Sequence, residues 1–390
     1  MSHVEPLRVL DQQLLATSEF WQPQPFRELQ PAWCLHFPAL VAALRALADN
    51  EALALEKNPR AALEFLVPHV PEIGELLLWG DVAASRQKSP LPTGRRWAWE
   101  IPGRKLAQIE SFLQATPACS CPVLDWCGGK GHLGRLLAWQ WQQPVRTLEI
   151  DATLCAAGEG LAQRLGLRHE FMPADALTAS LEPFAGQHAV ALHACGHLHR
   201  TLIRNGVSAH LAGFDLVPCC YHLGVQGTYP AFTGGLGLTL AADAVRLAVT
   251  ETVTASPRLQ RQRDREMAWK LGFDLWRRSL QAGGEYRNFK PVPAAWFRGR
   301  FEDFLVQMAA RENLPAPLGA DFSRLERQAW VRHQEVMRLS LVRSAFRRLL
   351  ERWLLLDMAA FLEQAGYAVA LQTFCSPELT PRNLLLSARR

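Results

Sequence analysis

Five short runs carry the residue types that chemistry uses. In Val123-Leu124-Asp125-Trp126-Cys127-Gly128-Gly129-Lys130-Gly131-His132-Leu133, an apolar run ends in an acid, a glycine-rich turn follows and helix-forming residues begin. Glycines permit positive φ and let a ligand touch the backbone. The helix that follows offers unpaired N–H groups and the positive end of its dipole, which suits a carboxylate or a phosphate. The spacing is neither G-x-G-x-x-G nor G-x-x-x-x-G-K-[ST], which weighs against dinucleotide and P-loop chemistry. Glu149 and Asp151 lie about 20 residues further on, where an acid can accept hydrogen bonds from ribose hydroxyls. Asp175, beside Ala176, ends a third apolar run and can reach an exocyclic amine of adenine.

A glycine turn, a ribose acid and an adenine acid in that order describe an adenosine ligand with a carboxylate, which is S-adenosylmethionine. The candidate contacts are Asp125, Cys127, Gly128, Gly129, Gly131, Leu133, Glu149, Asp151, Asp175, Ala176 and His193. The bland alternative is a structural turn with two solvated or capping acids.

Two more runs bear reactive side chains, Leu192-His193-Ala194-Cys195-Gly196-His197 and Val217-Pro218-Cys219-Cys220-Tyr221-His222. If they end the fourth and fifth strands of an open sheet, they line the ligand crevice, because ligands bind outside the carboxyl ends of such strands. The candidate acceptor-side residues are therefore His193, Cys195, Pro218, Cys219, Cys220 and His222. His193 and His222 are candidate bases for an acceptor that holds a proton. Cys219 and Cys220 admit three readings: small buried packing, a thiolate nucleophile on a pyrimidine ring, or zinc ligation with His222 and His193 or Cys195. Adjacent cysteines are awkward for one metal, and the expected site contains none.

These residues need a scaffold. VLDW, VRTLEI, LRHEFM, HAVALHA and FDLVP are short apolar runs separated by helix-period segments, the pattern of a doubly wound parallel sheet. Residues 1–100 read as a helical region, 101–223 as the α/β core, 224–340 as a mostly helical insertion and 341–390 as the last helix and a final strand pair. LVAALRALADNEALALEK (40–57) and RSAFRRLLERWLLLDMAAFLEQAG (343–366) each keep a helical period, and 88–104 reads as a connector.

Length and composition set the limits. The chain has 390 residues, 49% hydrophobic and 20% charged, which allows two or three structural units and excludes global disorder. No apolar run is long enough to span a bilayer. MSHVEPLRVLDQQ lacks a basic patch followed by an apolar stretch, so no secretory signal is expected. Nine unevenly spaced cysteines suit a reducing cytoplasm better than a disulfide framework.

The formal charge is +5, but residues 256–300 hold eleven basic and four acidic side chains, interleaved with Trp269, Trp276, Tyr286, Phe289 and Trp296. That mixture suits RNA, where cations meet phosphates and rings stack on unpaired bases. The competing reading is a solvated helix whose rings face a core, and the helical spacing slightly favours it. A protein side chain is the rival acceptor, and a non-catalytic binding module is the rival from outside the enzymes. Oligomeric state is not legible.

GGKGHL, LHACGHL and PCCYH in this order resemble the methyltransferase domain of the methyltransferase-like protein 25 and glutathione S-transferase C-terminal-domain-containing group. They resemble more distantly a eukaryotic tRNA 2′-O-methyltransferase. Leu354–Met358, Pro381-Arg382-Asn383-Leu384 and Glu19-Phe20-Trp21 extend the likeness to the first group. Trp126-Cys127-Gly128-Gly129 departs from it, since the family usually has a small residue between glycines. The resemblance implies a class I, Rossmann-like, seven-stranded fold, S-adenosylmethionine as donor, and an insertion between the fifth strand and the late helix.

Overall fold

The computed structural model describes residues 2–85, 100–250, 256–280 and 285–390. Most of the expected connector at 88–104 lies outside them. The chain divides into two units by its packing: Met1–Leu15, Leu78–Glu251 and Arg347–Arg390 form the first, and Ala16–Leu77 with Thr252–Phe346 form the second. Residues 16–77 of the expected N-terminal helical region therefore pack with 252–340 of the expected insertion and with 341–346 of the expected last segment. No helix among the described residues is long and apolar enough to cross a membrane.

The first unit is built on a seven-stranded sheet. Its strands are β1 Val123–Trp126, β2 Val145–Glu149, β3 His169–Pro173, β4 His188–Cys195, β5 Gly213–Cys219, β6 Ala368–Thr373 and β7 Leu384–Arg389. The order is β3-β2-β1-β4-β5-β7-β6, and β7 runs antiparallel to both neighbours. This is the class I methyltransferase arrangement expected from the sequence. Every residue of β1 and β5 is buried, as parallel strands covered on both faces must be. Helices Gly103–Ala115 and His132–Trp141 pack on the sheet through Ile109, Phe112, Leu136 and Leu137, all fully buried against Val190 and Val217. Each such side chain stabilises by about 1.5–3 kcal/mol.

A buried polar group ties β4, β5 and β7 together. Asp215 on β5 takes His188 Nε2 at 2.8 Å, Ser387 Oγ at 2.6 Å and Arg389 Nη2 at 2.7 Å. Burial would raise the Asp215 pKa, but the hydrogen bond and charge of His188, with Arg389, outweigh it and hold the carboxyl below its ordinary value.

Three expected elements differ. Residues 40–57 form two helices, Pro38–Ala46 and Asp49–Lys57, because Leu47 and Ala48 are extended. The expected helix 343–366 breaks at Phe346 into Phe322–Ala345 and Arg347–Gln364. Residues 224–241 contain no helix: five glycines and Pro230 fall between Gly224 and Gly237. Two distant carboxylates hold this loop instead. Asp357 accepts Phe232 N–H at 2.9 Å and Thr233 N–H at 2.8 Å, and Asp11 accepts Gly237 N–H at 2.7 Å.

The second unit is helical. Pro257-Arg258-Leu259-Gln260 opens the helix Pro257–Ser279, with Ser256 Oγ accepting Leu259 N–H and Pro257 at the first position. Trp269, Phe273 and Trp276 share one face of it and are buried with Phe297, Phe301 and Phe304. Of the rings named for stacking on bases, Trp269 and Trp276 are core, and Tyr286, Phe289 and Trp296 are half-buried.

Candidate active site

The carboxyl ends of β1 to β5 bring the expected residues to one rim. Three left-handed residues shape the turn after β1: Cys127 (φ 56°), Gly129 (φ 61°) and Gly131 (φ 62°). At Gly131 a Cβ would stand 2.5 Å from His169 Cε1 and from Phe171 Cζ, so only glycine fits there. At Gly128 a Cβ would meet Asp125 Oδ2 at 2.2 Å, so the backbone lies directly on the acid.

Asp125 is 1% exposed. Its Oδ2 accepts Gly134 N–H at 3.2 Å and Thr147 Oγ1 at 3.1 Å. Thr147 Oγ1 lies 2.7 Å from His169 Nε2, which extends the chain of bonds from β1 through β2 to β3. Burial lifts the Asp125 carboxyl to about 6, against the lowering effect of those hydrogen bonds. Burial likewise pushes His169 down to about 3, so its imidazole is neutral. Neither Thr147 nor His169 was singled out from sequence. Their signal is weak, a polar residue inside an otherwise apolar strand.

The two acids after β2 have different duties. Glu149 Oε2 accepts Gly129 N–H at 3.0 Å and Oε1 accepts Asp151 N–H at 3.1 Å, so this carboxylate lies against the glycine turn. Asp151 Oδ1 caps the helix Ala152–Arg164 through Thr153 N–H at 2.8 Å and Leu154 N–H at 3.3 Å. Of the two ribose candidates, Glu149 therefore faces the turn. After β3, Asp175 is exposed and gives one oxygen to Leu177 N–H at 2.9 Å, while Ala176 is buried. Leu133, proposed as a contact, packs into the hydrophobic core beneath the helix.

Cys127 shows that these pieces meet. Burial raises its thiol to about 12, and the charges of Glu149, Asp125 and Asp175, with Cys195, push the same way. Carboxylates from three strand ends and a thiol from a fourth thus act on one side chain.

On the acceptor side, β4 and β5 lose register. Leu192 pairs with Val217 but Cys195 pairs with Cys219, so β4 carries an extra residue and bulges at His193 (φ 67°). His193 Nε2 lies 3.3 Å from Gln108 Oε1. Since that carbonyl only accepts, Nε2 carries the proton and Nδ1 holds the lone pair. Burial, Arg382 and Lys105 push His193 down to about 4, so the ring is neutral. His222 is lowered by burial and by Arg246 and Arg382. Its Nδ1 is buried without a partner among the described residues. Pro218 is buried in β5.

The thiols divide their roles. Cys195 Sγ is 3.0 Å from Cys219 Sγ. The Cys219 thiol hydrogen bond lowers Cys195 to about 6, aided by Cys220 and opposed by burial. Cys219 and Cys220 are both raised. If a thiolate serves at this site, the nucleophile reading that the sequence leaves open for Cys219 and Cys220 moves to Cys195, the most acidic of the three thiols in the fold. Two further histidines follow β4: His199 is buried with Nδ1 on Ala194 O at 2.9 Å, and His197 is exposed.

Residues 104–226 match a family model described as a methyltransferase domain. This stretch is similar to that domain. It holds β1 to β5 and every candidate side chain above. The chain is also 30% identical over 125 residues to a glutathione S-transferase C-terminal domain-containing protein of Xenopus laevis, which covers 30% of this chain and 19% of the relative. The chain thus spans about a fifth of the length of that curated relative. Among solved structures it is similar to an O-methyltransferase family protein from Burkholderia thailandensis (13% identity, 85% of this chain and 71% of that one, TM-score 0.28). It is also similar to the Pyrococcus abyssi tRNA (uracil-54, C5)-methyltransferase in complex with S-adenosyl-L-homocysteine (18% identity, 26% and 25%, TM-score 0.23). At such scores the fold rests on the chain's own strand order.

The donor that goes with a methyltransferase domain is S-adenosylmethionine, and the residues present fit it. A Cβ would clash with Asp125 at Gly128 and with His169 and Phe171 at Gly131, which keeps the turn tight against the strand ends. The acids suit a cationic sulfonium nucleoside, and Glu149 lies where ribose hydroxyls would compete for its oxygens.

Proposed function

We propose that this chain transfers a methyl group from S-adenosylmethionine to RNA. The observation that carries the methyl-transfer reading is the glycine turn held against Asp125 and Glu149 at the ends of β1 and β2, beside the β4–β5 bulge. The donor supplies an electrophilic methyl carbon on a sulfonium. The protein's task is alignment, which contributes up to about 7–11 kcal/mol when the reacting atoms are held in line. Asp125 braces the turn from beneath, Glu149 takes the ribose and Asp175 the adenine. The acceptor enters between His193–Cys195 and Pro218–His222, where two neutral imidazoles orient its nucleophile by hydrogen bonding.

RNA is favoured by one feature of the second unit. Arg258, Arg261, Arg265 and Arg298 are exposed around a surface depression of about 650 Å³. Four guanidiniums with no carboxylate among the lining residues suit a phosphodiester backbone.

The test has two stages. Calorimetry with S-adenosylmethionine and S-adenosylhomocysteine should show binding that is lost in Glu149→Ala. Tritium from labelled donor should then pass to total RNA of a deletion strain. Label in total protein alone would replace RNA by a protein side chain, and RNA binding without affinity for either nucleoside would leave a non-catalytic module.

A further inference from the structure

Cys195, Cys219 and Cys220 have a second possibility that methyl transfer does not use. Their three sulfurs all lie within 4.8 Å of one another. Among the described residues no histidine nitrogen or carboxylate oxygen joins them within that distance. We propose that these thiols form a zinc site with three protein ligands and an open fourth position.

The backbone explains how adjacent cysteines serve one ion. In a regular strand, successive side chains point to opposite faces. Cys219 ends β5, but Cys220 is left-handed (φ 42°), so the alternation stops and both sulfurs come to one side. The bulge at His193 does the same for Cys195 on the neighbouring strand. The two strand ends are then fastened: Gly196 N–H donates to Cys219 O at 3.1 Å, and Leu223 N–H to Cys220 O at 2.9 Å. The three sulfurs are therefore carried on a braced frame, not on free loops.

The donor set decides the metal. Three thiolates are soft ligands, which rules out magnesium and calcium and favours zinc. Zinc–sulfur bonds of about 2.3 Å place tetrahedral sulfurs about 3.8 Å apart. Cys195 and Cys219 at 3.0 Å would spread by less than about 1 Å to accept the ion. On binding, each thiol gives its proton to solvent and its lone pair to the metal, with no change of oxidation state. The resulting anionic centre lies within reach of the Arg382 charge, which also acts on Cys220. Three protein ligands with an open position is the pattern of a catalytic rather than a structural zinc. The opening would lie on the acceptor side of the crevice.

The experiment uses the full chain, reduced and chelator-treated, then given Zn²⁺ and dialysed. About one zinc per chain is expected, and Co²⁺ should give an intense near-ultraviolet thiolate-to-cobalt band with tetrahedral visible absorption. Cys195→Ser and Cys220→Ser should each weaken zinc binding more than about tenfold, while Cys34→Ser and Cys375→Ser leave it unchanged. If a variant fails to fold, alkylation of the unaltered protein keeps the proposal exposed: zinc should shield Cys195, Cys219 and Cys220 but not Cys127. Uptake below about 0.2 equivalents, cobalt binding without the thiolate band, or no shielding of the three thiols would each overturn it. None of these readouts depends on turnover, so the zinc site and the methyl transfer can fail separately.

Discussion

Replacing Asp125 by asparagine should make the protein more stable and a weaker donor binder. The carboxyl is fully buried, and its environment lifts it from the ordinary 3.8 to about 6. That difference corresponds to about 3 kcal/mol, since one pKa unit is 1.36 kcal/mol. The sign follows from linkage: a group raised on folding contributes stability that is complete below its unfolded value and is lost as pH rises through the folded one. The loss therefore develops between pH 3.8 and about 6 and is complete at neutral pH. Asparagine carries no such penalty and still offers an oxygen to Gly134 N–H and Thr147 Oγ1. Its new amide group needs a partner, which reduces the net gain to about 1–3 kcal/mol. Urea unfolding followed by tryptophan fluorescence measures this directly. Asp125→Asn and the unaltered protein should be nearly equal at about pH 4, and the variant should lead increasingly up to about pH 7.5. Calorimetry on the same samples should show S-adenosylmethionine affinity reduced about tenfold, because the negative charge beneath the turn no longer attracts the cationic donor. A variant less stable at neutral pH, or a gap that ignores pH, would refute the claim that the charge is held at a cost.

Gly131→Ala should fold poorly and lose donor binding, because its Cβ has 2.5 Å to His169 and Phe171 and the residue sits at φ +62°; a thermal midpoint unchanged from the parent would contradict this. Asp215→Asn should cost about 3–5 kcal/mol in urea unfolding, since it leaves Arg389 and His188 without their buried carboxylate. The same carboxyl is held below its ordinary value, so its contribution is present above the unfolded pKa and fades as pH falls below about 4; the unaltered protein should show that acid loss and the variant should not. The double variant Arg258→Glu, Arg261→Glu should weaken RNA binding and reduce the slope of log affinity against log salt by about 1.4, with donor affinity untouched. An unchanged slope would remove this face from the RNA contact.

Sequence and structure agree best where the signal is local. The acid, the left-handed glycine turn and the helix start are consecutive residues, so their joint geometry follows from their order. The apolar runs marked the strands for the same reason. Glu149 and Asp151 were indistinguishable because both follow one strand. Only the backbone, which leaves Asp151 at a helix N-cap and Glu149 against Gly129, separates them. The Asp125–Thr147–His169 chain was hidden because it joins three strands that are far apart in sequence. The loop 224–241 was read as helical from period, while the carboxylates that hold it, Asp11 and Asp357, come from opposite ends of the chain. The register slip that gathers the three thiols leaves no trace in composition. In the basic segment the period was the better guide, since Trp269, Phe273 and Trp276 at helical spacing are core.

The late segment explains why the crevice is polarised. Arg382 lies between β6 and β7, fixed by its N–H on Thr380 Oγ1 at 3.2 Å and its Nη1 on Ala248 O at 3.3 Å. Asn383 beside it spans Arg348 Nη2 at 2.9 Å and Cys375 O at 2.8 Å, so the turn into the reversed strand is rigid. The Arg382 charge acts on His193, Cys220 and His222, all on the acceptor side. Acids therefore gather at the ends of β1 to β3 and a fixed cation at the ends of β4, β5 and β7. A cationic donor suits the first half, and the proposed RNA acceptor would meet the cation of the second. The segment before the antiparallel strand β7 thus contributes to the site by carrying Arg382.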